Sequence, residues 1–220
     1  MWALPSLLYH RIILFMSTLI HKVRRAWAYL TETIFPRLCL NCSKRGQYIC
    51  GTCRGEALEP EISYPKNADF AITSSSYRHP AVKKAVRKLK YDSASDIAGE
   101  LAEIMAKDLA PYLKYGEKPV LCEIPITDTR KSARGFNQAE LLAGHLAEKL
   151  GLEYRPMLVK IRETRPQAEI ENRKERLKNV KGVFALVKNL SSPPFVIIID
   201  DIITTGATMN EAALVLKKSG

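Results

Sequence analysis

What this sequence lacks narrows it first. It holds no G-x-x-x-x-G-K-[ST] and no G-x-G-x-x-G, so neither the P-loop nor the dinucleotide fingerprint supplies a phosphate site. There is no internal repeat and no low-complexity tract, which sets aside solenoids and biased disordered segments. Acidic residues are in deficit: 23 Asp and Glu stand against 34 Lys and Arg, a formal charge of +11. Such an excess favours anionic partners, whether phosphorylated small molecules, nucleic acid or an acidic membrane surface. It does not choose among them.

The apolar N-terminus, "MWALPSLLYHRIILFMSTLIHKVRRAW", is interrupted by His10 and Arg11, so its unbroken run falls short of a membrane span. It lacks basic residues before its apolar part and a small-residue cleavage site, which makes it a poor secretory signal. Its basic cluster, Lys22, Arg24 and Arg25, comes after the apolar stretch, as in an amphipathic helix lying on a surface. A packing or extension helix is the preferred reading, with peripheral membrane association through residues 1–25 as the alternative. The protein is expected in the cytoplasm.

The 220 residues suit one domain with a small appendage, and a hydrophobic fraction of 46% suits a packed core. Residues 56–68, "EALEPEISYPKNA", carry two prolines and read as a linker. Strands and helices then alternate. "FAITSSSY" (70–77) reads as a strand, and "PAVKKAVRKLKY" as a helix with Val82, Val86 and Leu89 on one stripe. A second helix, "ASDIAGELAEIMAKDLAPYL", precedes the buried strand "PVLCEIP" (119–125) and a polar basic loop. "FNQAELLAGHLAEKLG" is an amphipathic helix stopped by Gly151. "MLVKI", "GVFALV" and "FVIII" are further strands. This alternation predicts an α/β layer with a largely parallel sheet.

Four of five cysteines cluster in "CLNCSKRGQYICGTC": Cys39, Cys42, Cys50 and Cys53. Two C-x2-C turns can close a tetrahedral four-sulfur shell around zinc, leaving no open position for chemistry. Two disulfides would need an oxidising compartment that nothing else indicates, and a thioredoxin-like site needs only one pair. Cys122 sits alone in an apolar run and reads as a buried thiol.

The stretch "FVIIIDDIITTGATMNEAALVL" (195–216) drives an apolar strand straight into Asp200 and Asp201. In an open α/β sheet, ligands bind beyond the carboxyl ends of the strands. Thr204, Thr205, Gly206, Ala207 and Thr208 can wrap backbone N–H groups and hydroxyls around an anion. Thr208 is expected to cap the following helix, whose N-terminus adds positive potential. The acids suit hydroxyl groups or a hydrated metal ion, so a ligand with vicinal hydroxyls and a 5′-phosphate fits. A surface turn with two solvated acids explains the threonines, but explains less well two acids directly after a buried strand.

"VIIIDDIITTGAT" resembles the 5-phosphoribosyl 1-diphosphate motif of type I phosphoribosyltransferases. That resemblance implies a Rossmann-like fold of that type. It also implies Asp200 and Asp201 on the ribose hydroxyls with Mg2+, and Thr204 to Thr208 around the 5′-phosphate. The four-cysteine unit after "IFP", "LKY" (89–91), "RGFNQAELLA" (134–143), "RPQ" (165–167), "RKERLKNVKGVF" (173–184) and the Asp-Asp motif, taken in that order, resemble the ComF family. Its members are phosphoribosyltransferase-like proteins associated with competence for DNA uptake. The residues are read as a helical extension over 1–33, and the resemblance, which covers about residue 34 to the end, implies a four-cysteine zinc module over 34–58 and a phosphoribosyltransferase-like domain over 68–220. The first thirty or so residues have no clear counterpart in the family. The chain stops at Gly220, where related proteins continue into another strand, so a truncated C-terminus is expected.

By position, "IPITDTRKSARGFNQ" resembles the pyrophosphate loop and offers Arg130, Lys131 and Arg134. Basic groups and Mg2+ there would stabilise a leaving pyrophosphate. Taken alone it is a solvated basic loop. The segment 162–181 is too charged for a core element; in related enzymes a mobile loop closes over substrate, and Arg165, Gln167, Arg173 and Arg176 are candidates for that closure. A solvated helix is an equal reading. Lys83, Lys84, Arg87, Lys88 and Lys90 form either a single-stranded DNA contact or a solvated face, and the lack of stacking aromatics beyond Tyr91 favours the latter. The expected function is binding of phosphoribosyl diphosphate with Mg2+, with phosphoribosyl transfer to an unidentified nitrogen acceptor. The alternative is a non-catalytic competence factor handling single-stranded DNA with the DNA-uptake machinery. No residue stands out as a general base.

Overall fold

Val120–Glu123 (β3) is buried at all four positions, as a run without polar alternation requires. Its neighbours explain why. The computed structural model describes residues 33–218 apart from residues 35, 58–59, 92–93, 114–117, 166–169, 171, 189–192 and 194. In it β3 lies between β4 (Glu153–Tyr154) and β7 (Val196–Ile199), parallel to both. Leu121 and Ile199 face α3 (Ala94–Leu109) and α5 (Gln138–Leu150), where Ile97, Ala102, Leu142 and Leu146 complete one core. Val120, Cys122 and Ile124 face the other side, against α7 (Ala207–Lys217) and the residues Val183 and Phe184. Successive side chains of one strand thus feed two cores. The architecture is a layered α/β one.

The sheet expected to be largely parallel is so only in this three-stranded centre. β1 (Glu61–Ser63) pairs antiparallel with β2 (Ala71–Thr73), and β5 (Leu158–Lys160) with β6 (Phe184–Leu186). Short connections can join only antiparallel neighbours, and the β1–β2 reversal is short. The β5–β6 segment folds back through α6 (Arg173–Val180). The stretch read as a linker therefore contains a strand, flanked rather than broken by Pro60 and Pro65. The strand expected over 70–77 stops at Thr73, since His79 N–H donates to the Ser76 carbonyl and turns the chain into a helix.

That helix, α2 (Pro80–Tyr91), begins on a proline, whose missing N–H is harmless there. Its apolar residues divide over two faces rather than one stripe. Ala81, Ala85 and Leu89 enter the main core, while Val82 and Val86 pack against Ile202. The basic stretch after β3 is a helix rather than a loop: Asp128–Arg134 forms α4, closed by Gly135 at φ +81°. The chain then enters α5 through Asn137, whose Oδ1 accepts from Ala139 N–H and whose Nδ2 donates to the Ile124 carbonyl. Gly151 ends α5 in the left-handed conformation, as expected.

The N-terminal extension, with the surface-helix reading of residues 1–25, and the chain end at Gly220 lie outside the described residues. No helix among the described residues is long and apolar enough to cross a membrane.

Candidate metal centre and strand-end site

Two tight turns assemble the cysteines. Cys39 N–H donates to the Lys44 carbonyl at 2.8 Å, Ser43 N–H to the Cys39 carbonyl at 2.9 Å, and Leu40 N–H to the Tyr48 carbonyl at 2.9 Å. Cys53 is carried by α1 (Gly51–Ala57). The four sulfurs all lie within 4.8 Å of one another, and those of Cys42 and Cys50 are 3.5 Å apart. A tetrahedral zinc–thiolate shell has sulfur–sulfur edges of roughly 3.8 Å, whereas a disulfide needs about 2.05 Å. The arrangement suits one metal ion such as zinc. Burial opposes ionisation of Cys39, but backbone groups of Cys42, Cys50 and Asn41 outweigh it and hold that thiol at about 6. The Asn41 side chain favours a Cys53 thiolate, yet burial and the other three thiols push it up to about 12. Crowded thiols that resist joint ionisation are what a cation relieves.

The unit is seated on the α/β layer by specific contacts. Glu100 of α3 accepts from the backbone N–H groups of Tyr48 (2.9 Å) and Ile49 (2.6 Å). Lys84 Nζ donates to the Leu40 carbonyl at 2.8 Å, and Lys88 Nζ lies 5.7 Å from the centre of the Tyr48 ring. Cys39, Ile49, Cys50 and Cys53 share one core with Ala81, Ala85 and Leu89. Lys84 and Lys88 of the basic helix α2 are therefore engaged with the cysteine unit, and Lys83, Lys84 and Arg87 are exposed.

At the carboxyl end of β7, Asp201 N–H donates to Asp200 Oδ1 at 2.8 Å. Asp201 Oδ2 in turn lies 3.7 Å from Lys90 Nζ, at the end of α2. Burial and then the Asp201 charge push the Asp200 carboxyl well above the usual carboxylate range. Thr204 is exposed; Thr205 and Gly206 are partly so. Thr208 does not cap the helix. Gly206 takes that position at φ +70°, and its carbonyl accepts Asn210 N–H at 2.8 Å. A left-handed position excludes most other residues, and Thr208 falls inside the first turn of α7.

All three basic residues after β3 have internal partners. Arg130 Nε lies 3.4 Å from Glu163 Oε2, and its guanidinium donates to the Thr164 carbonyl. Lys131 Nζ lies 2.7 Å from Glu140 Oε2, and Arg134 donates to Gln138 Oε1 at 3.4 Å. The buried Thr127 hydroxyl donates to Glu163. Lys160 joins this group: burial and the Arg130 charge lower its pKa, while Glu163 and Asp200 oppose that shift.

Two of the candidate closing residues, Arg165 and Arg176, engage groups of the protein itself. Arg165 binds the Asn179 side chain through its backbone N–H (3.2 Å) and carbonyl (2.9 Å). Arg176 Nε donates to the Ile170 carbonyl at 2.7 Å. Arg173 opens α6, its side chain and all of Gln167 lying outside the described residues. Lys90, Glu100, Thr127 and Lys160 are residues whose roles the sequence does not announce. Of these, Lys90 stands inside "LKY" and Thr127 inside "IPITDTRKSARGFNQ", whereas Glu100 and Lys160 stand in no motif.

Among curated proteins, the chain is 28% identical over 188 residues to Competence protein F of Haemophilus influenzae, covering 83% of this chain and 79% of the relative. It is 27% identical to DNA utilization protein YhgH of Salmonella typhi, covering 83% and 84%. Competence protein ComFC of Streptococcus pneumoniae is 33% identical over 140 residues, covering 64% of this chain and 59% of the relative. The chain is thus similar, over most of its length, to competence and DNA utilization proteins of the ComF type. No family model and no solved structure matches it. The four-cysteine cluster fits a zinc module.

Proposed function

We propose that this chain serves DNA uptake and utilisation, and that it does so through a site binding 5-phosphoribosyl 1-diphosphate with Mg2+. The names of the relatives, competence protein and DNA utilization protein, support the first part. One observation carries the second: adjacent acids at the end of β7, one disfavoured as a carboxylate, with Lys160 within electrostatic reach of both Asp200 and Arg130. In this reading Asp200 and Asp201 receive the ribose hydroxyls and the hydrated Mg2+. Residues 204–208 take the 5′-phosphate at the start of α7. Arg130, Lys131 and Arg134 exchange their internal partners for pyrophosphate oxygens. Arg165, Gln167, Arg173 and Arg176 belong to the closing segment. The four cysteines hold a structural zinc, and residues 34–58 and 68–220 are the two functional regions.

The site suits phosphoribosyl transfer as well as binding. An acceptor nitrogen would form a bond to ribose C1 while the C1–oxygen bond breaks. Pyrophosphate would leave with that electron pair, and the nitrogen would shed a proton. A second reading, direct contact with single-stranded DNA, is favoured by the charge of +11 and by the exposed Lys83 and Arg87.

Deleting the chain from its host and restoring it as wild type or as Asp200→Asn/Asp201→Asn tests the proposal. DNA uptake is expected to fail on deletion, return with the wild type and stay low with the double variant. Uptake unchanged by deletion overturns the DNA role. Full rescue by the double variant overturns the ligand site.

A further inference from the structure

Thr127 stands where a helix is normally capped, yet its hydroxyl caps nothing. It precedes α4 without accepting from an N–H of the first turn, as a threonine there usually does. The hydroxyl, on a residue only 7% exposed, donates instead to Glu163 Oε1. Glu163 Oε2 lies 3.4 Å from Arg130 Nε, and Arg130 Nη2 donates to the Thr164 carbonyl. Lys160 Nζ completes the set by donating to the Thr164 hydroxyl at 2.9 Å. Four oxygens of one dipeptide thus occupy donors from three separate side chains. All four serve there as acceptors, the role that the oxygens of a diphosphate fill.

The charges at this cluster do not balance. One carboxylate, Glu163, meets two cations, Arg130 and Lys160. An anion carrying more than one charge satisfies such a group better than a single carboxylate does. The carboxylate is also easily removed, since the Glu163 side chain is 51% exposed and a half-exposed ion pair is weak. The backbone of the segment need not follow it. Arg162 donates to the Asn179 and Lys181 carbonyls, and Arg165 pairs through its backbone with the Asn179 side chain. These contacts tie the segment to the end of α6 whether or not Glu163 is seated.

We propose that Glu163 and Thr164 form an internal plug, holding Thr127, Arg130 and Lys160 in place of a polyvalent oxyanion that must displace the Glu163 carboxylate to bind. Thr127 and Lys160 thereby join the groups that hold the anion, and Glu163 sets how tightly it is held. Naming the anion as the diphosphate end of phosphoribosyl diphosphate rests on the function proposed above; the competition does not. A plug seated roughly nine-tenths of the time lowers the apparent affinity roughly tenfold.

The test is a calorimetric titration of the full chain with inorganic pyrophosphate at one fixed ionic strength. Glu163→Gln removes the carboxylate, while Glu163→Asp keeps its charge and withdraws it by one methylene. Both are expected to bind pyrophosphate roughly tenfold more tightly than the wild type. Glu175→Gln, which removes an exposed acid of α6 outside the plug, should change the affinity by no more than roughly twofold. Lys160→Gln should weaken it roughly tenfold. Thermal melts check that each variant folds; if one Glu163 variant does not, the other decides. No pyrophosphate binding to the folded Glu163 variants, equal affinity of wild type and Glu163→Asp, or an equal gain in Glu175→Gln overturns the plug. Undiminished binding to folded Lys160→Gln does the same. A parallel titration with phosphoribosyl diphosphate and Mg2+ separates the two claims. Failure there with the pyrophosphate pattern intact removes the phosphoribosyl diphosphate reading alone. Phosphoribosyl diphosphate binding that neither Glu163 variant alters removes the plug alone.

Discussion

Lys90 Nζ stands 3.7 Å from Asp201 Oδ2, and the helix that carries this lysine is also the seat of the four-cysteine unit. Lys84 and Lys88 hold that unit, Ala81, Ala85 and Leu89 share its core, and Val82 and Val86 pack on Ile202, the residue after the acid pair. One helix thus touches both functional regions. Disturbing the metal unit should be felt at the acids.

Removing the metal is expected to loosen more than the cysteine turns. Hydrogen exchange after chelation should show lower protection over residues 37–57 and along α2, because both draw on one core. Glu100→Ala should imitate part of this by stranding the N–H groups of Tyr48 and Ile49. The expected loss is on the order of 2–3 kcal/mol in a denaturant titration. Exchange confined to residues 37–57 would show that the unit is energetically separate.

Metal analysis of protein purified without added zinc should find one ion per chain. Cys39→Ser or Cys53→Ser should lose it, since three thiolates leave the shell open. Four freely titrating thiols in fresh protein would refute the assignment.

Asp200→Asn should stabilise the protein at neutral pH while weakening its ligand. Asp200 retains its proton to higher pH in the folded chain than in the unfolded one. The folded state therefore binds more protons over that interval, and stability falls as pH rises from the ordinary carboxylate range through the folded value. Asparagine removes this penalty, so the variant's melting temperature should exceed wild type at pH 7 and depend less on pH. Phosphoribosyl diphosphate affinity should drop roughly 10- to 100-fold when one charge-assisted hydrogen bond is removed. A melting temperature below wild type at pH 7 would contradict the burial argument.

The basic face of α2 should divide by function. Lys83→Gln with Arg87→Gln should leave melting unchanged. If single-stranded DNA binds there, the same pair should flatten the log–log salt dependence by about 0.7 for each phosphate no longer neutralised. Lys84→Gln with Lys88→Gln should lower stability by about 1 kcal/mol instead. Equal melting behaviour of the two pairs would show that the interactions with Leu40 and Tyr48 carry no weight.

The acid pair and the cysteine unit are legible in the sequence because their residues are contiguous and their chemistry needs no partner from afar. Lys90, Glu100 and Lys160 are not. Each acquires its role only when the fold brings distant segments together, and even Lys90, inside the motif "LKY", carries no local sign of its partner. The helix Asp128–Arg134 reads as a loop because "DTRKSAR" has no apolar periodicity; it is held by its ends, at Thr127 and Gly135. β1 is hidden because prolines bracket it, and its pairing with β2 is what makes it a strand. The basic helix looks like one solvated or nucleic-acid-binding face, since nothing in a charge run tells which lysines will meet a carbonyl or an aromatic ring.

The most direct test is a calorimetric titration of the full chain with phosphoribosyl diphosphate in the presence and absence of Mg2+, beside Asp200→Asn/Asp201→Asn. The account predicts saturable, Mg2+-dependent binding to the wild type, abolished in a double variant that still melts cooperatively. Absence of binding to the wild type, or unchanged affinity in the folded double variant, would contradict it.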